Sequence, residues 1–97
     1  MTTFDLNTTH VVNNREDSRF EAVIDGQTAF LSYQQVGNTL ILTHANTPLA
    51  LRGQGIAGVV TKAALDYAQA NGMRVTPLCS YVVAYLRRHP EYQPLVK

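Results

Sequence analysis

A glycine-spaced segment at residues 51–57 has the residue types needed to bind phosphate through its main chain. Gly53 and Gly55 come directly before an amphipathic stretch that begins at Ile56. The first N–H groups of a helix have no intrahelical acceptor and carry partial positive charge. Glycine lets an anion approach the main chain because it has no Cβ. The spacing therefore predicts an anion site, which a pyrophosphate group would suit, at the main chain of Arg52, Gly53, Gln54, Gly55, Ile56 and Ala57.

Cys79 is the strongest candidate for direct chemistry. It lies between a predicted strand and a predicted helix, where helix N–H groups stabilise a thiolate. It could act as a nucleophile or protonate a leaving group, or it could be a small buried apolar residue. His44, at the end of a predicted strand, could act as a base or serve as a hydrogen-bonded structural residue.

Tyr81 and Tyr85 have helical spacing and are expected in the core with their hydroxyls at its rim. Either could instead contact a bound cofactor. His89 precedes Pro90 and is expected to be a cation at a helix end, with contact to a cofactor or acceptor as the alternative. Three scattered histidines and one cysteine show no metal-ligand spacing, so we expect no metal.

The composition is that of an ordinary globular protein, and we expect one domain over residues 1–97. Hydrophobic residues make up 45% and charged residues 15% of the chain, and the net charge is +1. This balance gives no indication of a nucleic-acid partner. A single cysteine excludes an internal disulfide, and neither a signal peptide nor a long apolar run is visible. We therefore expect a cytoplasmic protein without a membrane segment.

The elements that must position these residues begin with four strand-like runs, at 8–12, 19–24, 28–33 and 39–44. Asp25-Gly26 and Gly37-Asn38 are turn signals between the last three, and they predict an antiparallel meander. The last run is mostly apolar, which is typical of a central strand covered on both faces.

A helical pattern follows. Its apolar stripe is Ile56, Val59, Val60, Ala63, Ala64, Tyr67 and Ala68. Asn71-Gly72 should end this helix. A short strand at 74–78 places Pro77 at its end or edge, and a second helix should end before Pro90. The pattern predicts an α+β fold with a mixed, mainly antiparallel sheet of about five strands and two helices.

The loop itself resembles a known signature. It lacks the Gly-Lys-Ser/Thr ending of nucleoside-triphosphate loops, and no βαβ unit precedes it, as a dinucleotide-binding fold would require. Arg52-x-x-Gly55-x-Ala57 resembles the Arg/Gln-x-x-Gly-x-Gly/Ala signature of the GNAT (GCN5-related) acetyltransferase superfamily. Residues 77–82, Tyr85 and residues 88–92 resemble the end of a minimal GNAT-like family of about a hundred residues.

The resemblance implies an N-acetyltransferase with a compact GNAT-like fold. Acetyl-CoA would be its co-substrate, and the acceptor would be an amine of a small molecule, a protein lysine or a protein N-terminus. Cys79 and His44 would then be catalytic candidates. Relatives often carry a glutamate after the fourth strand, where this chain has residues 44–48, His-Ala-Asn-Thr-Pro. Two alternatives therefore stay open: a non-catalytic acyl-CoA binding or sensing module, and an interaction domain in which the glycines only start a helix.

Overall fold

Five strands form one mixed sheet in the order β1-β2-β3-β4-β5. The computed structural model describes residues 10–97. Strands β1 to β4 are antiparallel to one another, and β5 lies parallel to β4. The elements in chain order are β1 (Val12–Asn14), β2 (Arg19–Ile24), β3 (Gln27–Val36), β4 (Thr39–Asn46), a 3₁₀ turn (Leu49–Leu51), α1 (Ile56–Ala70), β5 (Arg74–Pro77), α2 (Ser80–Arg88) and a second 3₁₀ segment (Pro90–Leu95). This architecture confirms the predicted fold class.

The turn between β2 and β3 forms as its sequence predicts. Ile24 pairs with Gln27, which leaves Asp25 and Gly26 as a two-residue loop. Both have positive φ, +52° and +76°, as a type I′ turn requires. The twist of this turn matches the right-handed twist of the strands it joins. The turn therefore ends β2 where the sequence predicts.

The first strand differs from its prediction. Of the run at 8–12, Thr8 and Thr9 lie outside the described residues, and the strand observed is Val12–Asn14. Asn13 pairs with Phe20 in this ladder, and its Oδ1 accepts a 2.7 Å hydrogen bond from the Tyr33 hydroxyl. This strand is therefore formed by polar residues with hydrogen-bond partners, and the apolar pattern predicted it too near the N-terminus.

Helix α1 packs across the sheet, mainly on β3 and β2. Its buried residues are Ile56, Val60, Thr61, Ala64, Leu65 and Ala68. The predicted stripe is right along most of its length. However, Thr61 and Leu65 are buried, whereas Val59, Ala63 and Tyr67 of the predicted stripe are only half-buried. Burying a leucine contributes roughly 1.5–3 kcal/mol relative to leaving it exposed, so the turn around Leu65 is a strong anchor.

Strand β4 is covered less evenly than predicted. Leu40 and Leu42 are fully buried, while Ile41 and Thr43 are half-buried. One face of the strand therefore packs in the core and the other is only partly covered. A β-bulge interrupts the pairing with β3, because Ser32 pairs with His44 and Tyr33 pairs with Leu42.

The C-terminal segment ties α2 to α1 and β5. The Tyr92 hydroxyl donates a 2.6 Å hydrogen bond to Asp66 of α1, and Val96 bridges to Val75 of β5. The segment that follows α2 is thereby attached to the C-terminal half of α1 and to β5. Within the described residues, no helix is both long and apolar enough to cross a membrane.

Candidate functional site

A cavity of about 400 Å³ opens between the end of β4, the loop before α1, and α2. This volume falls within the usual range for small-molecule sites. The residues that line it are Ala45, Asn46, Thr47, Leu51, Arg52, Gly53, Gly55, Ile56, Ala57 and Tyr81. Sequence-predicted residues of the loop and of α2 therefore meet at one place.

The cavity lies where β4 and β5 separate. Their last pair is Leu42 with Pro77, yet β4 continues to Asn46. Beyond this pair, the N–H groups of Leu78 and Cys79 both donate to the Leu42 carbonyl, at 3.0 and 3.1 Å, and the chain turns into α2. Residues 43–46 consequently have no β5 residue beside them. A free strand edge offers N–H and C=O groups to an extended ligand.

The loop before α1 presents a row of main-chain donors. Gly53 and Gly55 have φ of +80° and +81°, and Gly55 is the N-cap of the helix. The first main-chain hydrogen bond of α1 runs from Val59 N–H to the Gly55 carbonyl, at 3.2 Å. Among the described residues, the N–H groups of 53–58 donate to no other main-chain oxygen. Together with the helix dipole, they make a site suited to an anion.

The polar side chains of the loop turn back onto the preceding chain. Arg52 Nε donates to the Thr47 carbonyl at 3.0 Å, and Gln54 Nε2 donates to the Ala50 carbonyl at 3.3 Å. Both side chains are exposed. Arg52 also lines the cavity, whereas Gln54 does not.

Tyr81 is the residue of α2 that lines the cavity. A Cβ placed on Gly58 of α1 would lie 3.4 Å from the Tyr81 hydroxyl oxygen, an ordinary contact distance, so this hydroxyl lies beside the first turn of α1. Burial raises the pKa of the Tyr81 phenol, and the charge of Arg88 partly opposes this effect. The hydroxyl therefore stays protonated at neutral pH and can donate a hydrogen bond.

Tyr85 lies one helical turn further along α2 and does not line the cavity. It is buried, and its ring stacks on that of His89 at 4.1 Å between centroids. Burial raises the pKa of its phenol as well. His89 is the C-cap of α2, and its Nδ1 lies 3.6 Å from a Glu91 carboxylate oxygen.

Cys79 is the N-cap of α2, as its position in the sequence indicates. Its side chain is half-buried and makes no capping hydrogen bond. It is not among the cavity-lining residues, but it follows the last pair of β4 and β5 and precedes Tyr81 by two positions. The main chain of Cys79 therefore lies at the closed end of the split between the strands, while its side chain packs against the hydrophobic core.

His44 lies apart from the cavity. Its side chain is exposed, and its ring meets that of Phe30 edge to face at 6.2 Å. His44 pairs with Ser32, whereas the adjacent residue Ala45 pairs with the buried Leu31 on the core face, and successive side chains of a strand point to opposite faces. The imidazole is thus on the other face of the sheet.

Four lining residues were not among the predicted binding residues: Ala45, Asn46, Thr47 and Leu51. Ala45 and Asn46 end β4, and Thr47 and Leu51 belong to the connection that follows. In the sequence, residues 44–48 are notable only for lacking the glutamate that relatives often carry. None of the ten lining residues is acidic. Over residues 10–97, no group of three metal-ligating side chains comes together.

Comparisons with known proteins agree with one another. A family model described as GCN5-related N-acetyl-transferase matches residues 19–95. Protein NATD1 of Mus musculus is 32% identical over 83 residues, which span 82% of this chain and 76% of the mouse protein. Protein NATD1 of Danio rerio is 30% identical over 87 residues, or 84% of this chain and 79% of the fish protein.

A solved structure shares the fold. The NMR solution structure of a GCN5-like protein from Staphylococcus aureus superposes with a TM-score of 0.64 and covers 92% of this chain and 88% of its own. The two sequences are 20% identical. This neighbour supports the five-stranded mixed sheet with two helices as a compact version of that fold.

Proposed function

The chain belongs to the GCN5-related N-acetyltransferase family, and from this premise we propose that it binds acetyl-CoA and transfers the acetyl group to an amine. The acceptor is the amine of a small molecule, a protein lysine or a protein N-terminus.

The half-buried thiol of Cys79, the single cysteine of the chain, suits a reducing compartment and supports a cytoplasmic location.

The observation that carries this proposal is the cavity's shape, with unpaired amides at one end and a free strand edge along one side. In this arrangement the diphosphate of acetyl-CoA binds the N–H groups of residues 53–57, with the helix dipole adding to the attraction. The amide-containing arm of the cofactor then runs along residues 43–46 of β4, where no strand competes for hydrogen bonds. The thioester would reach the closed end of the split near Cys79.

Acetyl transfer needs a nucleophile, a proton acceptor and stabilisation of the thioester oxygen. The amine nitrogen attacks the carbonyl carbon, the C–N bond forms and the C–S bond breaks. The amine loses one proton, and the coenzyme A thiolate gains one. A main-chain N–H at the end of β4 would hold the oxyanion, and such a donor typically contributes about 3 kcal/mol.

Cys79 can serve this reaction in either of two ways. As a nucleophile, its thiolate attacks the thioester, forms an S-acetyl bond and releases coenzyme A, and the amine then takes the acetyl group from sulfur. As a general acid, its thiol protonates the departing coenzyme A thiolate. The position of Cys79 at the N-terminus of α2 supports both roles.

His44 is the proposed proton acceptor. Because its imidazole is on the face of the sheet opposite the cavity, it can act only on an amine that approaches from that face. Replacing His44 with glutamine should lower kcat and leave coenzyme A affinity unchanged. Unaltered kcat over pH 6–9 would remove His44 from the mechanism.

Calorimetric titration with coenzyme A and acetyl-CoA tests the binding step. We expect a dissociation constant well below 1 mM, that is, a binding free energy more favourable than about −4 kcal/mol. No detectable binding of either compound at millimolar concentration would contradict the proposal.

The role of Cys79 is tested by intact-mass measurement after exposure to acetyl-CoA. Wild-type protein should gain one acetyl group if Cys79 is the nucleophile, and Cys79→Ala should gain none while still binding coenzyme A. Cys79→Ser is the matched control for volume. Transfer by Cys79→Ala at the wild-type rate would reduce Cys79 to a packing residue.

A non-catalytic acyl-CoA binding or sensing module is the second candidate. The absence of an acidic side chain among the ten lining residues favours it, because no carboxylate there can accept the amine proton. Incubation with labelled acetyl-CoA and a panel of amines separates the two functions. Turnover of any acceptor above the protein-free rate excludes a pure binding module.

A further inference from the structure

The side chain of Arg52 links the two walls of the cavity. Arg52 begins the glycine loop, Thr47 follows the end of β4, and both line the cavity. The 3.0 Å hydrogen bond from Arg52 Nε to the Thr47 carbonyl therefore connects the end of the strand to the start of the loop. A bond between these walls fixes the separation of two surfaces that would hold different parts of one ligand.

We propose that Arg52 is a positioning residue, which acts on the cofactor through its Nε bond to Thr47 rather than by placing its charge on the diphosphate. The inference rests on the function proposed above and deepens it. Arg52 holds the loop amides at a set distance from the free edge of β4, so that the phosphate and the thioester ends of acetyl-CoA are bound together.

The surrounding chain is organised in the same way. Leu51 N–H donates to the Pro48 carbonyl at 2.9 Å and Arg52 N–H donates to the Leu49 carbonyl at 3.3 Å, which closes the 3₁₀ turn. Leu51 is buried and anchors this turn to the core. The Nε bond of Arg52 then closes a larger ring over residues 47–52 around the same anchor.

Gln54 makes a second hydrogen bond of the same kind. Its side-chain amide donates to the Ala50 carbonyl at 3.3 Å. Both polar side chains of the loop thus donate to main-chain carbonyls of earlier residues. The N–H groups of residues 53–58 donate to no main-chain oxygen in the described part of the chain. A loop held in this way keeps its donors ordered before a ligand arrives, which reduces the cost of binding.

Three substitutions separate the hydrogen bond from the charge. In Arg52→Gln, the amide nitrogen lies the same number of bonds from Cα as arginine Nε, so a donor is kept without charge. Arg52→Lys keeps the charge but has a methylene at the Nε position. Arg52→Met keeps neither. Because Arg52 is exposed, we expect all three variants to melt within a few degrees of the wild type.

Calorimetric titration with coenzyme A, at two salt concentrations, measures the affinities of the wild type and the three variants. Arg52→Gln should bind like the wild type, whereas Arg52→Lys and Arg52→Met should both bind about fivefold more weakly, because a lost hydrogen bond lowers the population of the competent loop. Full affinity in Arg52→Lys with weak binding in Arg52→Gln would overturn the inference in favour of a direct charge contact. Equal affinity in all four proteins would overturn it as well.

A measurement without ligand keeps this result distinct from failure of the proposed function. In ¹H–¹⁵N spectra of the free proteins, the amide signals of Gly55 and Ile56, which do not adjoin residue 52, should coincide in the wild type and Arg52→Gln and shift in Arg52→Lys and Arg52→Met. Coincident signals in all four proteins would refute the hydrogen-bonded role. If the wild type bound no coenzyme A but the shifts followed the expected order, the proposed function alone would fail.

Discussion

Replacing Gly55 with valine is the sharpest perturbation of the proposed cofactor site. Gly55 is the N-cap of α1 and has φ of +81°, a region in which side chains with a Cβ are strained. The cost for an L-residue is about 1–2 kcal/mol, and a β-branched residue is among the least tolerant. We therefore expect valine to relieve this strain by adopting a negative φ, which rotates the neighbouring peptide planes.

This rotation determines the expected loss of affinity. Rotation of these planes turns at least one of the loop N–H groups away from the cavity. A hydrogen bond to a charged group contributes about 1.5–3 kcal/mol, and each 1.4 kcal/mol is a factor of about ten in affinity. We therefore expect Gly55→Val to bind coenzyme A at least about tenfold more weakly in calorimetric titration.

Gly72→Val provides the matched control. Gly72 has φ of +65°, follows the end of α1, and would place a Cβ in open space. Urea unfolding should show a similar loss of stability in both variants, roughly 1–2 kcal/mol, while only Gly55→Val loses affinity. Binding by Gly55→Val within a factor of two of the wild type would refute the amide site, and an equal loss in Gly72→Val would attribute the effect to global stability.

Three further substitutions test the packing and hydrogen bonding of α1. Gly58→Ala should raise the free energy of unfolding by up to about 1 kcal/mol, because the helix penalty of glycine is removed and the methyl would meet the Tyr81 oxygen at an ordinary contact distance of 3.4 Å; a loss of stability in urea would contradict this. Thr61→Val should stabilise the protein by about 1 kcal/mol, since the buried Thr61 hydroxyl has no hydrogen-bond partner among the described residues; destabilisation would show that the hydroxyl has one. Burial, with the bond to Asp66, raises the pKa of Tyr92 from 10 to about 12. The folded pKa lies above the unfolded one, so this contribution is complete below pH 10 and is lost as pH rises towards 12. The stability deficit of Tyr92→Phe should therefore shrink as the pH rises from 10 towards 12 in urea unfolding, and a constant deficit would contradict the assignment.

Local signals predicted most of the fold because they act over short distances. The bounds of β2 and the stop of α1 follow from residues that tolerate positive φ, namely the Asp25-Gly26 turn and Gly72. Pro77 ends β5 as predicted. In contrast, β3 continues past the predicted limit at Tyr33 and includes two exposed glutamines. The hydrogen bonds between strands continue there, although the apolar alternation has stopped.

The site was predicted only in part. The glycine loop and the N-cap position of Cys79 can be read from the sequence because both depend on helix starts. The part of the cavity formed by Asn46 and Thr47 cannot, because it arises where β4 outlasts its pairing with β5. The burial of Thr61 is likewise a tertiary effect, since a polar residue gives no apolar pattern.

A crystal structure of the protein with acetyl-CoA would show where the diphosphate binds. We expect diphosphate oxygens about 3 Å from N–H groups of residues 53–57, with the thioester directed along β4 towards Cys79. A diphosphate bound elsewhere on the protein, with these N–H groups left free, would contradict it.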